Sequence, residues 1–288
     1  MKILVTGKTG QVGYELMRSL QPLGEVIGVD RSGMDLADLD QVRDVIRRVR
    51  PGLIVNPAAY TAVDKAEREP ELAMRINGEA PGVMAEEAVR LGAALVHYST
   101  DYVFDGTKQG AYTEDDRPCP INVYGRTKLA GEQAIAATGV AHLIFRTSWV
   151  YGMRGKNFLL TMMRLAAERD ELRIVADQHG APTWCRTIAD TTASILAQAS
   201  ASADRDGWWR EQSGLYNLSA QGATTWHGFA DALLDQISKK PVLVPISAGE
   251  YPVPAARPAN SRLSCDALMQ RFCHLPHWRD ALTLCQES

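Results

Sequence analysis

The 288-residue chain lacks a strong excess of charge of either sign. Lys and Arg total 31 and Asp and Glu 34, a net charge of −3 with no basic run, which argues against nucleic acid or an anionic membrane surface as the partner. Cysteine is sparse and unpatterned. Cys119, Cys185, Cys265, Cys273 and Cys285 are odd in number and form no CxxC pair, so they read as reduced thiols of a cytoplasmic protein rather than as a disulfide framework or a zinc site. The six His show no metal-like spacing, and Pro276 breaks the geometry that His274 and His277 would need as joint ligands. Apolar runs long enough to cross a bilayer are missing, and the chain opens on a strand-like run rather than a signal peptide. Repeats and low-complexity tracts are missing too. What is left is a chain long enough for one large α/β domain, or for a nucleotide-binding domain with a smaller lobe.

The opening supports the second form. Residues 2–6 are a short apolar run of the kind buried in parallel sheets, followed by Gly7-Lys-Thr-Gly10-Gln-Val-Gly13 and a helical pattern to Leu20. In such a strand–turn–helix, Gly7 permits the tight turn, Gly10 lets backbone approach a pyrophosphate, and Gly13 allows close helix–sheet packing. The helix N-terminus offers its free N–H groups to the phosphates. Residues 26–30 read as a second strand ending in Asp30, placed to meet an adenosine ribose. Arg31 follows, suited to a 2′-phosphate, so NADPH and NADH both stay open.

Strand and helix then alternate: helix 38–50, strand 53–56, a small-residue loop Pro57 to Thr61, helix 73–91, strand 94–98, helix 124–137 and strand 142–147. That alternation predicts a doubly wound parallel sheet of Rossmann type. Asn77 within its helix reads as a solvated polar residue. The segment 105–121 is a long Gly-, Pro- and acid-rich loop, a candidate lid or substrate loop. Beyond Ser148 the pattern loosens into a smaller C-terminal lobe: helix 157–169, a sixth strand 172–175, loop 177–183 and helix 187–199. An exposed loop 200–214 carrying Trp208-Trp209 follows, then a strand-like 215–218 and helix 225–238 capped by Thr224 or Thr225. Irregular structure spans 241–258, with its five prolines, before a helical tail. We therefore expect a nucleotide-binding domain over 1–148 and a mainly substrate-binding lobe over 149–288, interleaved with the first.

Within this frame Tyr124-Gly-Arg-Thr-Lys128 stands out. Residues four apart lie one above the other on a helix, and an ammonium beside a phenol favours the phenolate and makes the Tyr a better proton exchanger. The strand-end cluster Ser99-Thr100-Asp101 lies where ligands bind in open α/β sheets.

Together, the Gly-rich turn, Asp30, the hydroxyl cluster and YxxxK resemble the extended short-chain dehydrogenase/reductase superfamily. Ser-Thr-Asp-Tyr-Val-Phe-Asp-Gly, Arg-Thr-Ser-Trp-Val-Tyr, Asp-Gln-His-Gly-Ala-Pro-Thr and Arg257-Pro-Ala-Asn-Ser-Arg262-Leu resemble its nucleotide-sugar 4-keto reductases over essentially the full length. The resemblance implies that Gly10, Gln11 and Val12 cradle the pyrophosphate, with Gly7 and Gly13 shaping the turn. It places Asp30, Arg31, Asp35 and Leu36 by the adenosine, and Ala58, Ala59, Tyr60 and Thr61 on the nicotinamide side. Thr100, Tyr124 and Lys128 are the implied catalytic group, with Tyr124 and Lys128 also touching the cofactor. Thr100, Asp101, Tyr124, Trp149 and Asn157 are the implied substrate contacts, with the Arg257–Arg262 segment near them. The implied reaction is NADPH- or NADH-dependent reduction of dTDP-4-dehydro-L-rhamnose, for cell-surface polysaccharide, by a homodimer. Dehydratase relatives carry Asp-Glu where this chain has Asp101-Tyr102, which leaves simple reduction. A magnesium ion at a dimer interface is known in the family. Glu15 matches one ligand position, but Trp184-Cys185-Arg186 stands where another acid is expected, so no metal ligand is assigned. The alternatives are a reductase or epimerase of another nucleotide sugar, and a non-catalytic partner like the regulatory subunit of methionine adenosyltransferase.

Overall fold

In the computed structural model, which describes residues 1–235, 237 and 240–287, helices cover both faces of a six-stranded sheet. Strands β1 (Lys2–Val5), β2 (Glu25–Gly28), β3 (Leu53–Asn56), β4 (Ala94–Thr100) and β5 (His142–Thr147) are joined by the strand Gly214–Asn217. The order across the sheet is β2, β1, β3, β4, β5, Gly214–Asn217, and every pairing is parallel.

The inner strands β1, β3 and β4 are almost wholly buried and mostly apolar because both of their faces are covered. In β1, Ile3 and Val5 pack with Leu16 of helix α1 (Gln11–Ser19) and with Ile188 of the helix Cys185–Ala201. Leu4, between them, packs with Val42 and Ile46 of helix α2 (Leu39–Val49) on the opposite face. Each such side chain, fully buried, contributes roughly 1.5–3 kcal/mol. The chain leaves β1 for β2 on one side, then crosses back to β3 on the other. The crevice for a ligand therefore opens at the carboxyl ends of β1 and β3.

A third apolar cluster, including Tyr151, Leu159, Trp184, Phe229, Leu233 and Trp278, forms the core of the second half. The halves interleave: the helix Cys185–Ala201 and the strand Gly214–Asn217 come from the second half but build onto the sheet.

Four expectations change. Residues 205–212 form a helix rather than an exposed loop. The Asp204 side chain caps it by accepting from the Gly207 N–H, and Trp209 is buried against the sheet layer. Residues 242–246 form a strand, paired in parallel with Glu171–Val175. Pro245 is tolerated there because the pair is a two-stranded ribbon with free edges. Residues 172–175 accordingly lie in that ribbon, and the main sheet takes its sixth strand from Gly214–Asn217. Finally, the 73–91 segment is interrupted by a wide turn over Arg75–Glu79, between helices Pro70–Met74 and Ala80–Leu91. The helix expected over 225–238 runs Trp226–Leu234 with Thr225 as its cap, and the expected end at 238 lies outside the described residues.

Candidate active site

A cleft of about 620 Å³ opens at the crevice between β1 and β3. Its floor is the Gly-rich turn. A Cβ at Gly13 would sit 2.2 Å from the Gly7 carbonyl oxygen, so only glycine lets α1 start this close to the strand. No side chain caps α1 at Gly10, and its first turn carries no acid. The N–H groups and the positive end of the helix dipole thus face the cleft, a surface that fits a pyrophosphate.

Gly7, Gly10, Gln11, Val12, Gly13, Asp30, Arg31, Asp35, Leu36, Ala58, Ala59, Tyr60, Thr61, Tyr124 and Lys128 all line this cleft. Asp30 accepts from the Ser32 N–H and hydroxyl and lies 3.5 Å from the Lys8 ammonium. The Ser32 hydroxyl, with Lys8, holds its carboxyl below the usual range. The exposed Arg31 guanidinium donates to Asp35 at 3.1 Å.

The helix Val123–Ala137 brings the reactive groups in. Asn122 caps it by accepting from the Gly125 N–H. A Cβ on Gly125 would meet the Tyr102 carbonyl at 2.1 Å, so a glycine at this point lets the helix start press against the turn after β4. That contact sets the Thr100 hydroxyl beside the Tyr124 phenol. Burial and the Asp101 charge push Tyr124 up to about 12, opposed by the Thr100 hydrogen bond. Thr100 also donates to Asp101 Oδ1 at 2.9 Å and accepts from the Tyr102 N–H. Burial pushes Asp101 up to about 6.

Lys128 is 1 % exposed and takes a different set of partners from the expected one. Its ammonium donates to the Tyr98 carbonyl at 2.5 Å and lies 3.1 Å from His97 Nε2, rather than bonding the Tyr124 hydroxyl. Burial brings it down to about 8, with Glu132 opposing. The expected lowering of the Tyr124 pKa by Lys128 is not what this arrangement produces: burial dominates both groups.

Other expected contacts separate. Asn157 caps the helix Phe158–Glu168, and its amide donates to Gln11 Oε1 and the Gly152 carbonyl. The structure thus uses Asn157 to tie the second half to the Gly-rich turn. Trp149 adopts a left-handed backbone at φ 46° and stacks on Trp226, with ring centroids 3.6 Å apart. The Arg257–Arg262 segment joins loops: Arg257 donates to Asp64, and Asn260 donates to the Lys108 and Gly110 carbonyls. The long loop 105–121 is pinned by those bonds and by Tyr112 stacked on Phe104 at 4.1 Å.

Sequence reasoning missed several residues here. Asn77 is buried, and its amide holds both the N–H and the carbonyl of Tyr60 and reaches Thr127. It fixes the loop that lines the cleft. The signal was a polar residue in an apolar stretch ending in glycine. Thr6, Thr147 and Lys156 also line the cleft, beside Ser99 of the expected strand-end cluster, and Trp226 supports Trp149. Within the chain, among the described residues, no group of three or more His, Cys, Asp or Glu side chains is arranged to hold a metal ion, and Glu15 has no such companions.

A Gly-rich turn opening a helix at the switch point of a parallel sheet, with Thr100 ending β4 and Tyr124 and Lys128 on the helix Val123–Ala137, is the arrangement of an oxidoreductase of the extended short-chain dehydrogenase/reductase class. The family model described as RmlD substrate binding domain matches residues 1–288, and the chain belongs to that family. A dTDP-4-dehydrorhamnose reductase from Burkholderia thailandensis is 51% identical over 99% of this chain and 98% of that protein. The enzyme of the same name from Salmonella typhimurium is 46% identical over 96% of this chain and 94% of that protein. The crystal structure of dTDP-4-dehydrorhamnose reductase from Bacillus anthracis in complex with NADP superposes with a TM-score of 0.89. It is 34% identical and covers 99% of this chain and 98% of that one.

Proposed function

We propose that the chain reduces the C4 keto group of dTDP-4-dehydro-β-L-rhamnose to give dTDP-L-rhamnose, the last step of dTDP-rhamnose synthesis, using NADPH or NADH. The observation that carries this reading is that Tyr124 and Lys128 line one cleft with the Gly-rich turn, with the Thr100 hydroxyl on Tyr124 and with Tyr102 where an eliminating enzyme needs a second carboxylate.

When bound, the reduced nicotinamide supplies the hydride to C4. Negative charge then builds on the C4 oxygen, and the protein's work is to meet it. Tyr124 holds its proton firmly at about 12, so it releases it to a developing alkoxide, a far stronger base than phenolate. The Thr100 hydroxyl, beside it, turns its single proton from Asp101 to the same oxygen. Lys128, one helical turn on, keeps a positive charge in the site below about pH 8, binds the nicotinamide ribose and offsets the phenolate left after transfer. Asp101 and Trp149 orient the sugar. Asp30 takes the adenosine ribose, and Arg31 meets a 2′-phosphate. Residues 1–148 bind the cofactor and 149–288 mainly the substrate, in a cytoplasmic homodimer.

A substrate panel tests this. We expect dTDP-4-dehydro-L-rhamnose to drive nicotinamide oxidation, GDP- and UDP-linked 4-keto sugars to do so far more slowly, and a chelator to leave the rate unchanged. Equal or faster turnover of a GDP- or UDP-linked sugar would assign the site to another nucleotide-sugar reductase.

A further inference from the structure

One buried side chain in contact with the site has no part in the reading above. His97, on β4, is 0 % exposed. Its Nε2 lies 3.1 Å from the Lys128 ammonium nitrogen, and its Nδ1 lies 3.0 Å from the Asn56 amide nitrogen, Nδ2, on β3. The line continues: Thr6 Oγ1 bonds Asn56 Oδ1 at 2.6 Å and accepts from the Ala58 N–H at 3.2 Å, and Ala58 lines the cleft. We propose that His97 is a positioning residue for Lys128, accepting a hydrogen bond from its ammonium and tying it through Asn56 and Thr6 to the nicotinamide-side loop. This deepens the reductase reading and rests on its assignment of Lys128 to the cofactor.

Hydrogen-bond accounting couples the three groups. An ammonium only donates, and a neutral imidazole has one N–H and one lone pair. With Lys128 charged, Nε2 is therefore the acceptor and Nδ1 carries the proton. The Asn56 amide, placed with its nitrogen to the ring and its oxygen to Thr6, then turns over to present its oxygen to the ring and its nitrogen to Thr6. With Lys128 neutral, the ring proton moves to Nε2 and the amide keeps its nitrogen on Nδ1, the placement seen in the structure. Charge on Lys128, the His97 tautomer and the Asn56 orientation are thus one coupled set.

The surroundings keep His97 neutral. Burial and the Lys128 charge push it well below the ordinary histidine value. The ionisable groups packed around the pair are few. Glu132 lies one turn beyond Lys128 on the same helix and supports its charge, and Arg146 of β5 pairs with Glu132 at 2.7 Å. Tyr98, next to His97, directs its hydroxyl to Thr192, and burial holds it above the ordinary tyrosine value. The set does not conduct protons to solvent. Asn56 and Thr6 are 0 % and 1 % exposed, and an amide does not relay protons in the way a hydroxyl or imidazole does. Its work is placement.

Two substitutions separate the two ends of the ring. His97→Gln puts an amide where Nε2 was and keeps an acceptor for Lys128. His97→Asn reaches only the Nδ1 position, keeps the Asn56 contact and loses Lys128. NADPH affinity, read by nicotinamide fluorescence with no sugar present, is measured against pH for both and for the unaltered chain. In the unaltered chain, affinity falls as pH rises through about 8, where Lys128 loses its charge. Loss of a hydrogen bond to a charged donor moves that fall to lower pH by about one unit or more in His97→Asn. His97→Gln stays near the unaltered profile. If both variants keep that profile, or both move equally, His97 only fills space and the proposal is overturned. Because the readout is binding, it stands apart from the sugar panel, whose failure would count against the reductase reading alone.

Discussion

Lys128 and Asp101 are the residues whose chemistry depends most on being buried. Burial lowers Lys128 to about 8 and raises Asp101 to about 6, so both titrate within about a unit of neutral pH. The sign of the Asp101 effect is fixed by linkage. A carboxyl raised from 3.8 to about 6 binds more protons folded than unfolded, so its contribution to stability is full below 3.8 and is lost as pH rises through 6. Asp101→Asn should therefore leave the melting temperature nearly unchanged near pH 3.5 and raise it at pH 7.5. The gain corresponds to roughly 2–3 kcal/mol, and thermal melts at the two pH values check it. At this scale the sequence offered candidates for the chemistry, and the structure brings Tyr124 and Lys128 to one cleft. Spacing revealed that Tyr124 and Lys128 share a helix face, but not that the ammonium turns to Tyr98 and His97, because those partners sit on a strand thirty positions away.

The decisive element contact is the start of the helix Val123–Ala137 against the turn after β4. Gly125 is the hinge of that contact, since any Cβ would overlap the Tyr102 carbonyl. Gly125→Ala should shift the helix start, cost roughly 1–3 kcal/mol of stability, and lower kcat far more than it weakens dinucleotide binding. Melts and steady-state kinetics read the two effects separately. Elements of the first half were legible because strand, Gly turn and amphipathic helix each obey a strong local rule. The helix Arg205–Gln212 was not, since its Ala-, Ser- and Asp-rich approach resembles a loop and its stability comes from Trp209 packed on the sheet. The strand Val242–Ile246 was hidden by its prolines, which an edge accepts and a central strand does not. The wide turn at Arg75–Glu79 leaves no sequence mark beyond Gly78, yet it places Asn77 on the cleft loop.

At the scale of the whole molecule, topology chooses the site. The switch between β1 and β3 opens the cleft, and Val150, Gly155 and Lys156 from the second half close its other wall. A dinucleotide there bridges both halves, so it should raise the midpoint of one cooperative melt rather than split it. At a hundred times its dissociation constant the gain is about 2.7 kcal/mol. Arg31→Ala should cut the rise given by NADPH and leave that given by NADH, since its guanidinium stands free of the sheet beside Asp30 and Asp35. The fold class was readable from the alternation of strand and helix. The return of the helix Cys185–Ala201 and the strand Gly214–Asn217 to the sheet has no local mark, because it depends on pairing and packing between segments far apart in the chain.

The central claim is that Tyr124 delivers the proton to the sugar C4 oxygen. The most direct test is single-turnover oxidation of the bound nicotinamide with saturating dTDP-4-dehydro-L-rhamnose, comparing the unaltered chain with Tyr124→Phe. The account predicts a rate lower by about 10²–10⁴, with dinucleotide affinity retained. A Tyr124→Phe chain that turns over at the unaltered rate would contradict it.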